Sequence, residues 1–221
     1  DNPTGMVYPE KILREIVSIA EAFNLFLIFD EIYENIIYNG AQTAPMAKVI
    51  GKIPGISLKG ISKEVPWPGA RCGWAEYYNR DQDAEFNKLC QTIDNAKMIE
   101  VSATMLPQRA IPKIMTDHRY EPFLKMTSRS IGQRSKKLYD FFTQIPYVNF
   151  NLTNGAFYNT IIFKQGALKP GQQLNITDPK IAQLLESWLT PEMPLDQRFV
   201  YYLLAAKQVC VVPISAFCSP L

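Results

Sequence analysis

A chain of 221 residues that is 47% apolar and 20% charged can bury a sizeable core in one large or two small domains, and is too apolar to be disordered. Its 23 basic and 21 acidic side chains leave a net charge of +2, which gives no electrostatic reason to expect nucleic acid or an anionic membrane as a partner. No apolar run approaches the roughly 20 residues that span a bilayer, and no signal peptide is visible.

The chain opens on Asp1 without a methionine and stops in an apolar, turn-rich stretch, so it is expected to be a piece of a longer protein. Cys72, Cys90, Cys210 and Cys218 show no CxxC pairing and fit reduced thiols in a cytosolic, cytoplasmic protein. His118 is the only histidine, which excludes a multi-histidine metal site and leaves a Ser-His-Asp or Cys-His mechanism resting on one residue. No metal is expected.

In chain order, Pro9 begins a helical pattern with Glu10 in its first turn and Ile12, Ile16, Ile19 and Phe23 on one face. Leu25–Phe29 is a continuous apolar run, as in a parallel strand covered on both faces, and Asp30 and Glu31 end it. A second short strand, Gly55–Leu58, leads to Ser62 and Lys63, and a third covers Arg71–Tyr77. This alternation predicts an open, mostly parallel α/β sheet, with ligands beyond the carboxyl ends of its strands. Asp30 and Lys63 both lie just past such ends.

Helical periodicity follows from Asp83 through Phe86, Leu89, Ile93 and Met98, then over Pro107–Met115. A long amphipathic helix from about Glu121 to Phe142 is predicted to link two domains. Its charged residues within 117–140 are read as a solvated face. Val148–Asn151 and Phe157–Phe163 are predicted to pair around the turn Thr153-Asn154-Gly155. Gly166–Thr177 is a surface loop, helices begin near Asp178 and Leu195, and Val209–Pro213 (VCVVP) is a last strand. The expected organisation is an α/β domain over 1–120, then the linking helix and a smaller, partial α+β domain over 121–221.

Four stretches carry chemistry: DNPTG at 1–5, FDEIY at 29–33, SK at 62–63 and PGARCGW at 68–74. Alone, each has a bland reading: a turn before a helix, a solvated acid at a strand end, an uninformative dipeptide. Their order and spacing are another matter. Asn2-Pro3-Thr4-Gly5, Asp30-Glu31-Ile32-Tyr33, Ser62-Lys63 and Arg71, eight residues after the lysine, together resemble the fold-type I pyridoxal-phosphate-dependent aminotransferases (class I/II, the aspartate aminotransferase superfamily). NGAFY (Asn154–Tyr158) looks like that family's small-domain turn. VCVVPISAF (Val209–Phe217) is similar to its late strand and loop.

The resemblance implies pyridoxal 5'-phosphate held as a Schiff base on Lys63, which also moves the proton during transamination between an L-amino acid and a 2-oxo acid. A buried lysine near cations has a lowered pKa and a free amine, which suits that chemistry. Lys59 is a rival on residue type but lacks the arginine at the matching spacing. Asp30 would keep the pyridine nitrogen protonated, since a carboxylate against that nitrogen raises its pKa. Tyr33 and Asn2 would hydrogen-bond the ring's phenolic oxygen, and Glu31 is read as structural. Arg71 would grip the phosphate bidentately, with Ser62 adding a hydroxyl. Many members carry a second serine three residues before the lysine, where this chain has Gly60. Trp67 and Trp74 are read as packing or pocket-lining aromatics, and Tyr158 as core.

In the family, the aromatic that stacks on the cofactor and a phosphate-cupping helix N-terminus precede NPTG, and the arginine for the substrate carboxylate follows the late loop. The resemblance also implies a homodimer. Two other readings share these residues. One is a pyridoxal-phosphate-dependent lyase, such as a C–S β-lyase or an aminocyclopropane-carboxylate synthase-like enzyme. The other is a non-enzymatic sensor domain fused to a helix-turn-helix module.

Overall fold

In the computed structural model, which describes residues 1–217, the chain divides into two compact units. One comprises Asp1–Gln144 with Phe150–Thr160; the other comprises Ile145–Asn149 and the residues from Ile161 onward. Cys218 lies outside the described residues; Cys72 and Cys90 are buried free thiols and Cys210 an exposed one.

The first unit is organised by a three-stranded sheet of order β1 (Leu27–Asp30), β2 (Gly55–Gly60), β3 (Gly73–Tyr78). β1 and β2 are parallel, with Asp30 opposite Leu58; β2 and β3 are antiparallel, with Gly60 opposite Gly73. The α/β class is as expected, and the antiparallel pairing arises because residues 61–72 return the chain without a crossover helix.

Alternation along β2 separates the two faces of the sheet. On one, helix α1 (Glu10–Ala22) and the four-residue α2 (Met46–Val49) pack Ala20, Met46, Ile50 and Ile53 against Leu27, Phe29 and Tyr78. Gly55 leaves room for them, since a Cβ there would lie 2.2 Å from Met46 Cε. On the other face, α3 (Ala84–Met98) packs Phe86 and Cys90 against Ile56 and Tyr77. Its start is set by Asp83, whose side chain accepts from Phe86 N at 2.7 Å as an N-cap.

Two expectations are corrected here. The buried stripe of α1 is Leu13, Val17 and Ala20, whereas Ile12, Ile19 and Phe23 are exposed. The helix has two apolar faces, and contact with Met46, Ile50 and Ile53 chooses between them. Nor is β1 covered on both faces: α3 lies over β2 and β3, and Ile28 on the outer strand is 56% exposed.

Helix α4 (Met105–Met115) brings Ile111 to a cluster of Ile61, Ala70 and Cys72. Helix α5 (Tyr120–Phe142) buries Leu124, Ser128, Gly132 and Ser135, a stripe at helical spacing made mostly of small residues. These let neighbouring backbone come close. Ser128 Oγ donates to Asn35 O at 2.9 Å, and a Cβ on Gly132 would stand 2.8 Å from Tyr38 Cβ. The remaining charges form exposed pairs such as Lys136–Asp140, which contribute little.

The second unit holds β5 (Ile161–Phe163) and, but for Phe150, its pairing partner β4 (Val148–Phe150), then α6 (Pro179–Trp188) and α7 (Leu195–Lys207). Asp178 caps α6 through bonds from Lys180 N and Ile181 N, with Pro179 at the first helical position. Phe163 packs edge-on against Phe199, 4.9 Å between ring centroids. Two further corrections apply. β4 and β5 are not joined by a tight turn, since residues 151–160 separate them. Val209–Pro213 forms no strand among the described residues, and Val209, Val211 and Val212 are exposed. An apolar run becomes a strand only where another strand offers its backbone, and none is paired with it.

Candidate active site

The six residues predicted to bind a cofactor all lie in the first unit, on three loops and a strand end. Asp30 is the last residue of β1, exposed, and its Oδ1 accepts from Ile32 N at 3.2 Å. That bond starts the turn 31–38, which continues through Glu34 N to Glu31 O and Ile36 N to Tyr33 O. The turn carries Tyr33, whose hydroxyl lies 2.5 Å from that of Tyr158. Burial, the Tyr158 hydrogen bond and the negative charge of Asp30 all push the Tyr33 phenol pKa well above its ordinary value. It therefore stays a neutral hydroxyl.

The DNPTG turn is pinned to the loop 151–160. Gly5 O accepts from Asn154 N and Gly155 N, both at 3.1 Å, and Thr160 Oγ1 donates to Pro3 O at 2.7 Å. Gly5 is left-handed, with φ +66, and a Cβ there would meet Thr153 Cβ at 2.6 Å, so both conformation and space require glycine. Asn2 is exposed beside this junction. The same loop bridges to the 31–38 turn, since Gly155 pairs with Ile37 and Ala156 N donates to Ile36 O at 2.8 Å. Three segments distant in sequence are thus tied together. The NGAFY stretch is the knot.

Lys63 sits on the loop 61–72. Ile61, Ala70 and Cys72 anchor that loop from below, and Trp67 N closes it with a bond to Ile61 O at 3.1 Å. A short 3-10 turn over Pro68–Ala70 and a left-handed Arg71, φ 48, bring the chain back to β3. Ser62 and Lys63 are left half-buried. The Lys63 ammonium lies 6.0 Å from the centre of the Phe157 ring, and Tyr33 meets the same ring edge-on at 5.5 Å. Among the described residues the Lys63 amine has no ion-pair partner. The Arg71 guanidinium is exposed and donates to Pro68 O at 2.9 Å. No contact joins it to Lys63, Asp30 or Tyr33.

Lys59, in β2, is held in another way. Its side chain is only 18% exposed, and its amine lies 2.8 Å from Glu34, 3.5 Å from Glu31 and 3.9 Å from Glu76. Burial works against its charge, but the hydrogen bond to Glu34 and the three carboxylates outweigh it and hold the pKa above the ordinary lysine range. Glu31 is structural, accepting from Met46 N at 2.7 Å and from the buried Ser57 hydroxyl. Gly60 faces Ile32 Cδ1 at 3.0 Å, Cys72 O at 3.1 Å and Gly73 Cα at 3.2 Å from where a Cβ would stand. A serine at this position would need its neighbours to give way.

Two aromatics stand closer to these residues than the sequence suggested. Tyr158, read as core, is half-buried with its hydroxyl on Tyr33, and Phe157 lies between Tyr33 and Lys63. The signal was the aromatic pair directly after Asn154-Gly155-Ala156, but its partners are some 95 and 125 positions away. Trp74 packs in the Ile61 cluster and donates from Nε1 to Glu76 at 3.0 Å, while Trp67 is exposed. Among the described residues, no group of His, Cys, Asp and Glu could hold a metal ion, and no helix is long and apolar enough to cross a membrane.

The chain is 47% identical over 221 residues to an uncharacterized aminotransferase of Methanocaldococcus jannaschii, covering all of this chain and 51% of that protein. It is 32% identical over 159 residues to a glutamate-pyruvate aminotransferase of Haemophilus influenzae, covering 72% of this chain and 39% of that one. The chain therefore spans about half or less of the length of these relatives. Its fold is similar to that of an aromatic aminotransferase from Pyrococcus horikoshii, with a TM-score of 0.73 at 23% identity over 99% of this chain and 50% of the other. The family model for aminotransferase class I and II matches residues 1–220, and the chain belongs to that family.

Proposed function

We propose that the protein of which this chain is part is a pyridoxal-phosphate-dependent aminotransferase, exchanging an amino group between an L-amino acid and a 2-oxo acid. The observation that carries the reading is the contrast between its two neighbouring lysines. Lys59 is locked by three carboxylates, whereas Lys63 presents a half-buried amine without an ion partner beside Phe157 and Tyr33. When bound, pyridoxal phosphate supplies an electron sink conjugated to the substrate's α-carbon.

The chain's own groups suit each part of that cofactor. Lys63 would offer the primary amine to hold its aldehyde carbon and could carry a proton. Asp30, an exposed carboxylate at a strand end, suits a protonated ring nitrogen. Tyr33, kept neutral, can donate a hydrogen bond to a phenolic oxygen, and Asn2 can do the same. Arg71 and Ser62 supply a guanidinium and a hydroxyl for the phosphate. Residues 1–120 correspond in this reading to the later part of a large cofactor domain, and 121–221 to the linking helix and part of a small domain. The whole protein acts as a cytoplasmic homodimer, and neither nucleic acid nor membrane is a partner.

The test uses the full-length protein. Added pyridoxal phosphate should give a shifted near-visible absorbance, and borohydride should trap the cofactor on the peptide containing Lys63. An amino acid should then yield its own 2-oxo acid. Release of ammonia and pyruvate would instead identify a lyase. Absorbance and trapping that persist in Lys63→Ala would overturn the assignment.

A further inference from the structure

Glu64, the residue after Lys63, has a role the motif does not supply. It is 8% exposed, the only buried carboxylate among the described residues. Its Oε1 accepts from Asn35 N at 2.6 Å and its Oε2 from Asn35 Nδ2 at 2.8 Å, so one side chain binds both the backbone and the side-chain amide of one residue. Asn35 lies two residues after Tyr33, and its carbonyl accepts from Ser128 Oγ of α5 at 2.9 Å. Glu64 is therefore the polar tie between the loop that carries Lys63 and the turn that carries Tyr33. The contacts of Lys63 and Tyr33 with the Phe157 ring form a second, apolar tie between the same two segments.

The geometry points to Glu64 as a positioning residue that holds the Lys63 amine in register with Tyr33; this rests on the reading of Lys63 as the cofactor lysine. The physical case is one of constraint. Lys63 is on a loop whose other anchors are the apolar packing of Ile61, Ala70 and Cys72 and backbone bonds within the loop itself, such as Trp67 N to Ile61 O, and none of these bonds reaches the turn 31–38. Two hydrogen bonds to a buried carboxylate one residue away fix rotation, because they are directional and the carboxylate cannot exchange them for water. Burial raises the Glu64 pKa, partly offset by the bonds from Asn35, as expected of a carboxyl kept inside for its geometry. An ordinary surface glutamate following a catalytic lysine would show none of this.

The experiment measures pyridoxal phosphate affinity by absorbance titration, and borohydride trapping at Lys63, in full-length wild type, Glu64→Gln, Glu64→Ala and Asn35→Ala, well below each thermal midpoint. Glu64→Ala should bind the cofactor about 10- to 100-fold more weakly, with a parallel loss of trapped Lys63 peptide. Glu64→Gln retains shape and hydrogen bonding once the Asn35 amide turns over, and should stay within about threefold of wild type. Affinity and trapping unchanged in a folded Glu64→Ala would overturn the proposal, leaving Glu64 a stability residue. Should Glu64→Ala fail to fold, Asn35→Ala decides: it removes the 2.8 Å bond alone, and unchanged affinity there overturns the proposal equally. Wild type that traps no cofactor on Lys63 would overturn the assignment of Lys63 itself, which is a separate result.

Discussion

Lys59 and Lys63 are four residues apart and chemically identical, yet the end of β2 and the loop after it treat them in opposite ways. In β2 the backbone is laddered on both sides, to β1 and to β3, and Lys59 projects into a cage of Glu31, Glu34 and Glu76. In the loop 61–72 the backbone is held by a few apolar pegs and turn bonds, and Lys63 meets an aromatic ring with no carboxylate among the described residues to neutralise it. A cation caged by acids is a structural element; a half-buried amine outside such a cage is the one that fits the proposed cofactor chemistry. The difference shows that the surroundings of each lysine are set by which carboxylates the fold brings near it, not by residue type.

Substitutions should separate the two lysines. Lys63→Ala is expected to lower transamination by about 10²- to 10⁴-fold while leaving the thermal midpoint near that of wild type, measured by steady-state assay and calorimetry. Lys59→Met should do the converse. It leaves the half-buried Glu31 and Glu34 without their cation, and urea unfolding should show a loss of about 3 kcal/mol. Equal stability loss in both variants would erase the contrast.

A smaller effect is expected at the hinge between strand and loop. Gly60→Ser introduces a side chain within 3.0–3.2 Å of three neighbours, and should cost about 1–2 kcal/mol in the same unfolding measurement. A stabilised variant would mean that the backbone there yields freely.

The smallest effect is a pH dependence. The folded pKa of Lys59 lies above the ordinary lysine value of 10.5. Its stabilising charge is therefore fully present below that value and is lost as pH rises through the higher folded pKa. The stability gap between wild type and Lys59→Met should be flat up to about pH 10.5 and narrow above it. A gap that widened would reverse the sign assigned to the cage.

Much of the fold was legible where local chemistry decides. Asp83 before Phe86, and Asp178 before Pro179, announce helix starts because a capping side chain needs only the next turn. Lys63, Asp30 and Asn2 could be singled out because their spacing along the chain is itself the signal. What failed to show were choices made by distant partners. α1 is apolar on two sides, and only Met46, Ile50 and Ile53 settle which is buried. Val209–Pro213 has the composition of a strand but no strand paired with it. Tyr158 read as core until Tyr33, 125 positions earlier, met its hydroxyl.

The sequence by itself determined the α/β class, the placing of the acid at a strand end and the lysine beyond one, and the family, because these depend on periodicity and on the order of short motifs. Tertiary structure alone decided the fate of each charge. It caged Lys59, left Lys63 without a counter-ion, and buried Glu64 against Asn35. A charge is disarmed or freed by its through-space neighbours, and those lie tens of residues away along the chain.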